Sequence, residues 1–158
     1  MKTEDLTAIF QRNVYVINRQ VEGLGHAESM LQLPFRGNCM NWVVGHLVES
    51  RDTILKRLGG EPLLTAEEAA LYAFDSEPLT DTTKAVAFET LLAHIQESQV
   101  RLDQGFSTVS PEALAAYTDE EQKNTVADQI DFLAWHDTYH VGQLEYLRQL
   151  TGVNDKIF

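Results

Sequence analysis

The segment from about Thr125 to Leu150 constrains the fold most, because its apolar residues cover most of a helical circumference. Val126, Ile130, Leu133, Leu144 and Leu147 form one stripe at helical spacing, while Trp135, Tyr139 and Tyr146 lie toward another side. Only a narrow strip around Asp131, Thr138, Glu145 and Gln149 is fully polar. A helix apolar this far round must sit centrally or contribute to a partner surface. Within it, His136 and His140 are four residues apart, so their imidazoles share one face at a spacing that chelates a single metal ion. Uncompensated imidazoles in an apolar setting are costly. A metal is the leading compensation, and a pair of hydrogen-bonded histidines at the core edge is the bland alternative.

The rest of the chain supplies helices for this one to pack against. Leu6, Ile9, Phe10, Val14, Ile17 and Val21 recur at threes and fours, predicting an amphipathic helix from about Thr3 to Gly23. Residues 25–37, with Pro34, read as a loop crossing the bundle end. A second helix opens at Asn38, whose side chain can cap free N–H groups, and ends at Gly59-Gly60. Its core stripe is Val43, Leu47, Ile54 and Leu58, widened by Val44, Val48 and Leu55. Thr65 and Glu68 form a capping-box pattern ahead of a short helix from Ala66 to about Phe74. The third long helix is expected from about Thr83 to Gln104, with Phe88, Leu91, Leu92, Ile95 and Leu102 inward. Ser110-Pro111 starts another short helix to about Tyr117, and Asp119 to Asn124 form a polar connection. Four long helices and no run of β-alternation predict an all-α fold, a four-helix bundle with extra short helices in the connections. The 158 residues suit one domain, expected to span 1–158.

Composition narrows the partners. With 24 acidic against 12 basic residues the net charge is −12, which opposes contact with nucleic-acid phosphates or anionic membrane surfaces. No apolar run approaches the roughly 18 residues that span a bilayer, and no signal-peptide core follows Met1-Lys2-Thr3-Glu4-Asp5. A cytoplasmic protein is expected. The single cysteine, Cys39, excludes an intramolecular disulfide. It is either a reactive thiol at a helix start or, the plainer reading, a small buried hydrophobe.

His46, on the second long helix, can join His136 and His140, although its position on the flank of the stripe leaves its direction open. Three histidines with an open position form a catalytic type of site, suited to zinc, nickel, iron or a related divalent ion. Neutral imidazoles leave the ion's charge uncompensated and so attract a thiolate or carboxylate. Asp137 holds the place of the glutamate in a His-Glu-x-x-His protease helix, but it is a methylene shorter and turns toward the core stripe. It either supports an imidazole or is a helix-packing carboxylate with a polar partner. Glu49, Tyr139 and Gln143 are candidate site-lining residues, His26 a surface residue, and His94 a boundary residue. The aromatic side of the last helix suits a homodimer interface.

The stretch from Asn41 to Leu47, with Gly45-His46-Leu47, followed late in the chain by His136-Asp137-Thr138-Tyr139-His140-Val141-Gly142-Gln143-Leu144, resembles the DinB-like superfamily over nearly the full length. The resemblance implies a metal-binding four-helix bundle that is often dimeric, with His46, His136 and His140 as ligands. Relatives include thiol-dependent S-transferases and a maleylpyruvate isomerase. A metal-dependent transferase joining a low-molecular-weight thiol to a small electrophile is therefore expected. The alternatives are a non-catalytic metal-binding or stress-related dimer, or an empty, vestigial histidine cluster.

Overall fold

The computed structural model describes residues 2–119, 121 and 123–157. Four long helices carry the architecture: α1 (Thr3–Val21), α3 (Met40–Arg57), α5 (Phe88–Thr108) and α7 (Val126–Leu150). Between them lie the short helices α2 (His26–Ser29), α4 (Ala66–Leu71) and α6 (Pro111–Ala115), and a small antiparallel pair, β1 (Tyr117–Asp119) with β2 (Asn124–Thr125). The fold is all-α but for that pair. It overlaps the expected polar connection and extends beyond it to Tyr117, expected in the short helix, and to Thr125; of that connection Glu120 and Gln122 lie outside the described residues.

Each long helix packs against two others: α1 and α3 both touch α5 and α7. The bundle is therefore a square with α1 opposite α3 and α5 opposite α7. Its core divides into two apolar clusters. One gathers Val14 and Ile17 of α1, Val44 and Leu47 of α3, Phe88 and Leu91 of α5, and Val141 and Leu144 of α7. The other gathers Phe10, Ile54, Leu102 and Ile130 from the same four helices. The order of residues through the clusters sets the directions. Helices α1 and α7 run from the second cluster to the first, whereas α3 and α5 run the other way. Because α3 and α5 are parallel neighbours, residues 58–87 must return along the bundle, which accounts for the long, irregular connection holding α4.

A polar layer separates the clusters. Arg51 of α3 donates from Nε and Nη2 to the two carboxylate oxygens of Asp137 on α7, at 2.8 and 3.0 Å. Asn13 of α1 donates to the same carboxylate at 2.8 Å, and Arg51 also donates to Ser98 Oγ of α5 at 3.2 Å. The guanidinium lies over the Phe10 ring. Arg51 and Asp137 are at most 1% exposed. Asp137 is thus the helix-packing carboxylate of the two sequence readings, with no imidazole as its hydrogen-bond partner.

Element boundaries follow local hydrogen bonding. Thr65 makes the expected capping box with Glu68, and Thr125 makes a second, unanticipated one with Asp128. Helix α3 starts at Met40 rather than Asn38, with Cys39 as its N-cap. Helix α5 starts five residues later than expected, because the backbone of Val86 is already engaged. Its carbonyl accepts from Asn41 Nδ2 and its N–H donates to the Tyr72 hydroxyl, both at 3.0 Å. His26, expected at the surface, is half-buried instead, and its Nδ1 accepts the N–H of Phe88 at the start of α5 (3.2 Å). At the other end of α1, Arg148 donates to the carbonyls of Gln20 and Glu22, taking up groups the helix leaves open.

Removing the Asp137 carboxylate strands a buried guanidinium, a loss of about 3–5 kcal/mol. Asp137→Ala should therefore lower the urea midpoint sharply, and the apolar pair Arg51→Met with Asp137→Leu should recover much of the loss. An Asp137→Ala protein as stable as wild type would contradict the role given to this layer.

Candidate metal centre

Helices α3 and α7 are antiparallel neighbours, and the polar layer sets their rotation. With Asp137 pointing inward, His136 and His140 on α7 turn toward α3, where His46 meets them. His46 Nε2 lies 3.3 Å from His136 Nε2, and His140 Nε2 lies 3.0 Å from the same atom. The three candidate ligand atoms all lie within 4.8 Å of one another. Among the described residues this is the one group of three or more His, Cys, Asp or Glu side chains so arranged.

The outer contacts decide which nitrogens face inward. His46 Nδ1 lies 2.7 Å from the Tyr72 carbonyl, which only accepts, so Nδ1 carries the proton and Nε2 presents a lone pair. His140 Nδ1 likewise donates to Gln143 Oε1 at 2.9 Å. His136 Nδ1 is buried with no partner. Nδ1 is left unpaired in either tautomer, as acceptor or as donor, so the choice rests on Nε2, where a proton could satisfy only one of its two neighbours. With the proton on Nδ1, three lone pairs converge, an arrangement that calls for a cation. Metal–nitrogen bonds of about 2.1 Å put nitrogens about 3.0 Å apart at right angles and about 3.4 Å apart at tetrahedral ones. The observed 3.0 and 3.3 Å contacts fit that spacing.

Electrostatics keep the cluster neutral. Burial pushes His46 down to about 4, reinforced by the neighbouring imidazoles and opposed by its contact with the Tyr72 carbonyl. His136 is lowered first by burial and then by His140, and His140 by burial, with Asp137 opposing in both cases. All three are therefore in the ligand form at neutral pH. Trp42 stacks on His46 with centroids 4.7 Å apart, and Phe132 stacks on His136.

The imidazoles open into a cleft of about 1050 Å³. Tyr139 and Gln143 line it, as the sequence suggested, whereas Glu49 does not. His94 is half-buried on α5 and outside the cluster. Cys39 is at a helix start but 1% exposed. Burial raises its thiol pKa and outweighs the backbone N–H groups, so the plain hydrophobe reading fits.

Sequence reasoning missed Tyr72. Its hydroxyl, pushed up to about 12 by burial, donates to Asn41 Oδ1 at 2.9 Å, while its carbonyl orients His46. The ring lies directly against Gly45, where any Cβ would collide with it. Gly45 thus lets the α4 segment approach α3 closely enough to hold His46. Gly45→Ala gains about 1 kcal/mol of helix propensity but incurs about 1–3 kcal/mol of overpacking. The expected result is lower thermal stability together with weaker metal affinity in calorimetric titration. Wild-type values for both would remove Gly45 and Tyr72 from the support of His46.

Comparison with known proteins agrees with this architecture. A conserved protein from Enterococcus faecalis, known from its crystal structure, superposes with a TM-score of 0.73 at 17% identity. The match covers 96% of this chain and 98% of that one, and at this identity it speaks for the fold alone. No curated protein matches the chain. Residues 20–144 match the family description of the DinB superfamily, a span that takes in both histidine-bearing helices and well over half the chain. The chain belongs to the DinB superfamily.

Proposed function

We propose that His46, His136 and His140 are the ligands of a divalent metal in an enzyme that transfers the sulfur of a low-molecular-weight thiol to a small electrophile. The observation that carries this reading is the convergence of three Nε2 atoms at an open cleft that, among the described residues, no carboxylate lines. Three neutral ligands leave the full charge of zinc, nickel or iron available, which suits an anionic sulfur ligand. The bound ion would supply Lewis acidity that favours the thiolate form. The absence of a lining carboxylate disfavours a hydrolase with a glutamate base. In the transfer, the thiol sulfur forms a bond to the electrophilic carbon, and the leaving group departs with its electron pair. The thiol proton passes to water through the open cleft. Tyr72 and Gln143 hold the outer nitrogens of His46 and His140, and Trp42 and Phe132 flank the imidazoles.

Purified protein should carry one metal per chain, and His136→Ala should lose it while remaining folded. Reconstituted protein should conjugate monochlorobimane with at least one member of a panel of cellular thiols, and chelation should reduce the rate at least a hundredfold. No turnover across the panel would favour the competing reading, a non-catalytic metal-binding dimer. Failure to bind stoichiometric metal after reconstitution would defeat both.

The protein is further proposed to be a homodimer through the outer face of α7. Trp135, Tyr139, Gly142 and Tyr146 follow one helical face, and the three aromatics are 55–72% exposed. Gly142 costs a mid-helix position about 1 kcal/mol relative to alanine. No atom of the chain approaches where its Cβ would be, so intrachain packing gives it no purpose. Close approach of a second copy would. The wild type should sediment as a dimer at micromolar concentration, and Gly142→Gln should shift it toward monomer without unfolding. A monomeric wild type, or a variant that dimerises unchanged, would rule out this face.

A further inference from the structure

The wall of the cleft is chemically lopsided. Seven aromatic side chains contribute to it: Trp42, buried beside His46, and Phe35, Phe74, Phe132, Trp135, Tyr139 and Tyr146. Trp135, Tyr139 and Tyr146 belong also to the face assigned above to the dimer, so the cleft borders that face. Phe35, Phe74 and Phe132 are each more than half exposed without that assignment, and Phe74 reaches 88%, although large apolar side chains are more often buried. Apart from the imidazoles, the one ionisable side chain in the wall that is charged at neutral pH is a cation, Arg36. Arg36 is exposed, and among the described residues its guanidinium has no carboxylate or hydrogen-bond partner. Of the six other arginines, Arg19, Arg51, Arg101 and Arg148 find carboxylates and Arg57 donates to Gln129 Oε1, whereas Arg12, like Arg36, has no such partner among the described residues. Arg36 also sits between two constrained positions. Pro34 precedes it by two, and Gly37 packs so closely on Leu33 that the loop folds back on itself. Phe35 and Arg36 are thereby carried to the mouth of the cleft together.

We propose that the cleft selects a planar, apolar acid, whose flat body lies among the aromatic rings and whose anionic group is met by Arg36. This rests on reading the cleft as the substrate site and assigns the electrophile to the class of aromatic carboxylates whose electrophilic carbon carries the leaving group. Stacked rings favour flat ligands over branched ones of equal area. A guanidinium matches a carboxylate in a two-point contact that an ammonium group cannot reproduce. The acidic surface elsewhere repels such an anion, so the basic mouth of the cleft is where it is attracted.

The probes are 2-naphthoate and its neutral counterpart 2-naphthylmethanol, titrated calorimetrically into the protein as purified and again after chelation. The acid should bind about tenfold more tightly than the alcohol in both preparations. Arg36→Gln should abolish that preference while leaving affinity for the alcohol unchanged, and Arg36→Lys should restore it only partly. Equal binding of acid and alcohol, preference persisting in Arg36→Gln, or no binding of either probe would overturn the proposal. A preference seen only with metal present would also overturn it, because the ion and not Arg36 would then be the anion's partner. Metal content and thiol conjugation are measured separately, so failure here leaves the metal-dependent reading standing on its own test.

Discussion

The buried pairing of Arg51 with Asp137 is the contact on which the rest of the bundle depends. Around it Asn13 and Ser98 bring in the remaining two long helices, so a single hydrogen-bonded layer joins all four. Buried ion pairs add little net stability, because taking both charges out of water offsets their attraction. Their geometry is nonetheless demanding. A guanidinium and a carboxylate in two-point contact cannot slide by a helical turn or rotate by one residue without leaving charge unpaired. Apolar clusters above and below would tolerate such slippage far better. The layer therefore sets rotation and register for helices whose apolar faces leave them loosely specified.

That register is also what assembles the imidazoles. Asp137 is the immediate neighbour of His136, and Arg51 lies on the same helix as His46. Directing 137 inward turns 136 and 140 toward the cleft, and directing 51 inward leaves 46 on the facing flank. The histidine cluster is thus on the outer side of the same helix pair whose inner side carries the ion pair. Tyr72, the residue that caps α4, completes the arrangement. Its hydroxyl joins Asn41 to the start of α5, while its carbonyl selects the tautomer of His46. The long connection between the parallel helices α3 and α5 consequently has a structural part in the site.

Much of this was legible in advance. The four long helices, the capping box at Thr65 and most of the inward-facing apolar residues of those helices follow from spacing and cap chemistry, although Met40, Phe106, Ala134 and Val141 are buried outside the expected stripes. His136 and His140 could be paired because their contact is local to one helix. Other features were less legible because they depend on distant segments. The start of α5 shifted because Asn41 and Tyr72 claim the backbone of Val86, and His26 left the surface to accept the N–H of Phe88. Arg51 did leave a signal: it falls within the stripe of Leu47 and Ile54, as Asp137 falls within that of Ile130 and Leu144. Two opposite charges set into two apolar stripes are a pairing that could have been sought.

By itself the sequence determined the helices, because apolar periodicity and cap residues act over one or two turns. It also determined the donor chemistry, because only imidazoles at this spacing offer paired nitrogens on one helical face. Which helices became neighbours, which way each faced, and which nitrogen of each histidine pointed inward were decided only in the tertiary structure. Those outcomes turn on contacts between residues far apart in the chain, such as Arg51 with Asp137 and His46 with the Tyr72 carbonyl. No local pattern encodes them, since each partner is satisfied only when the other arrives.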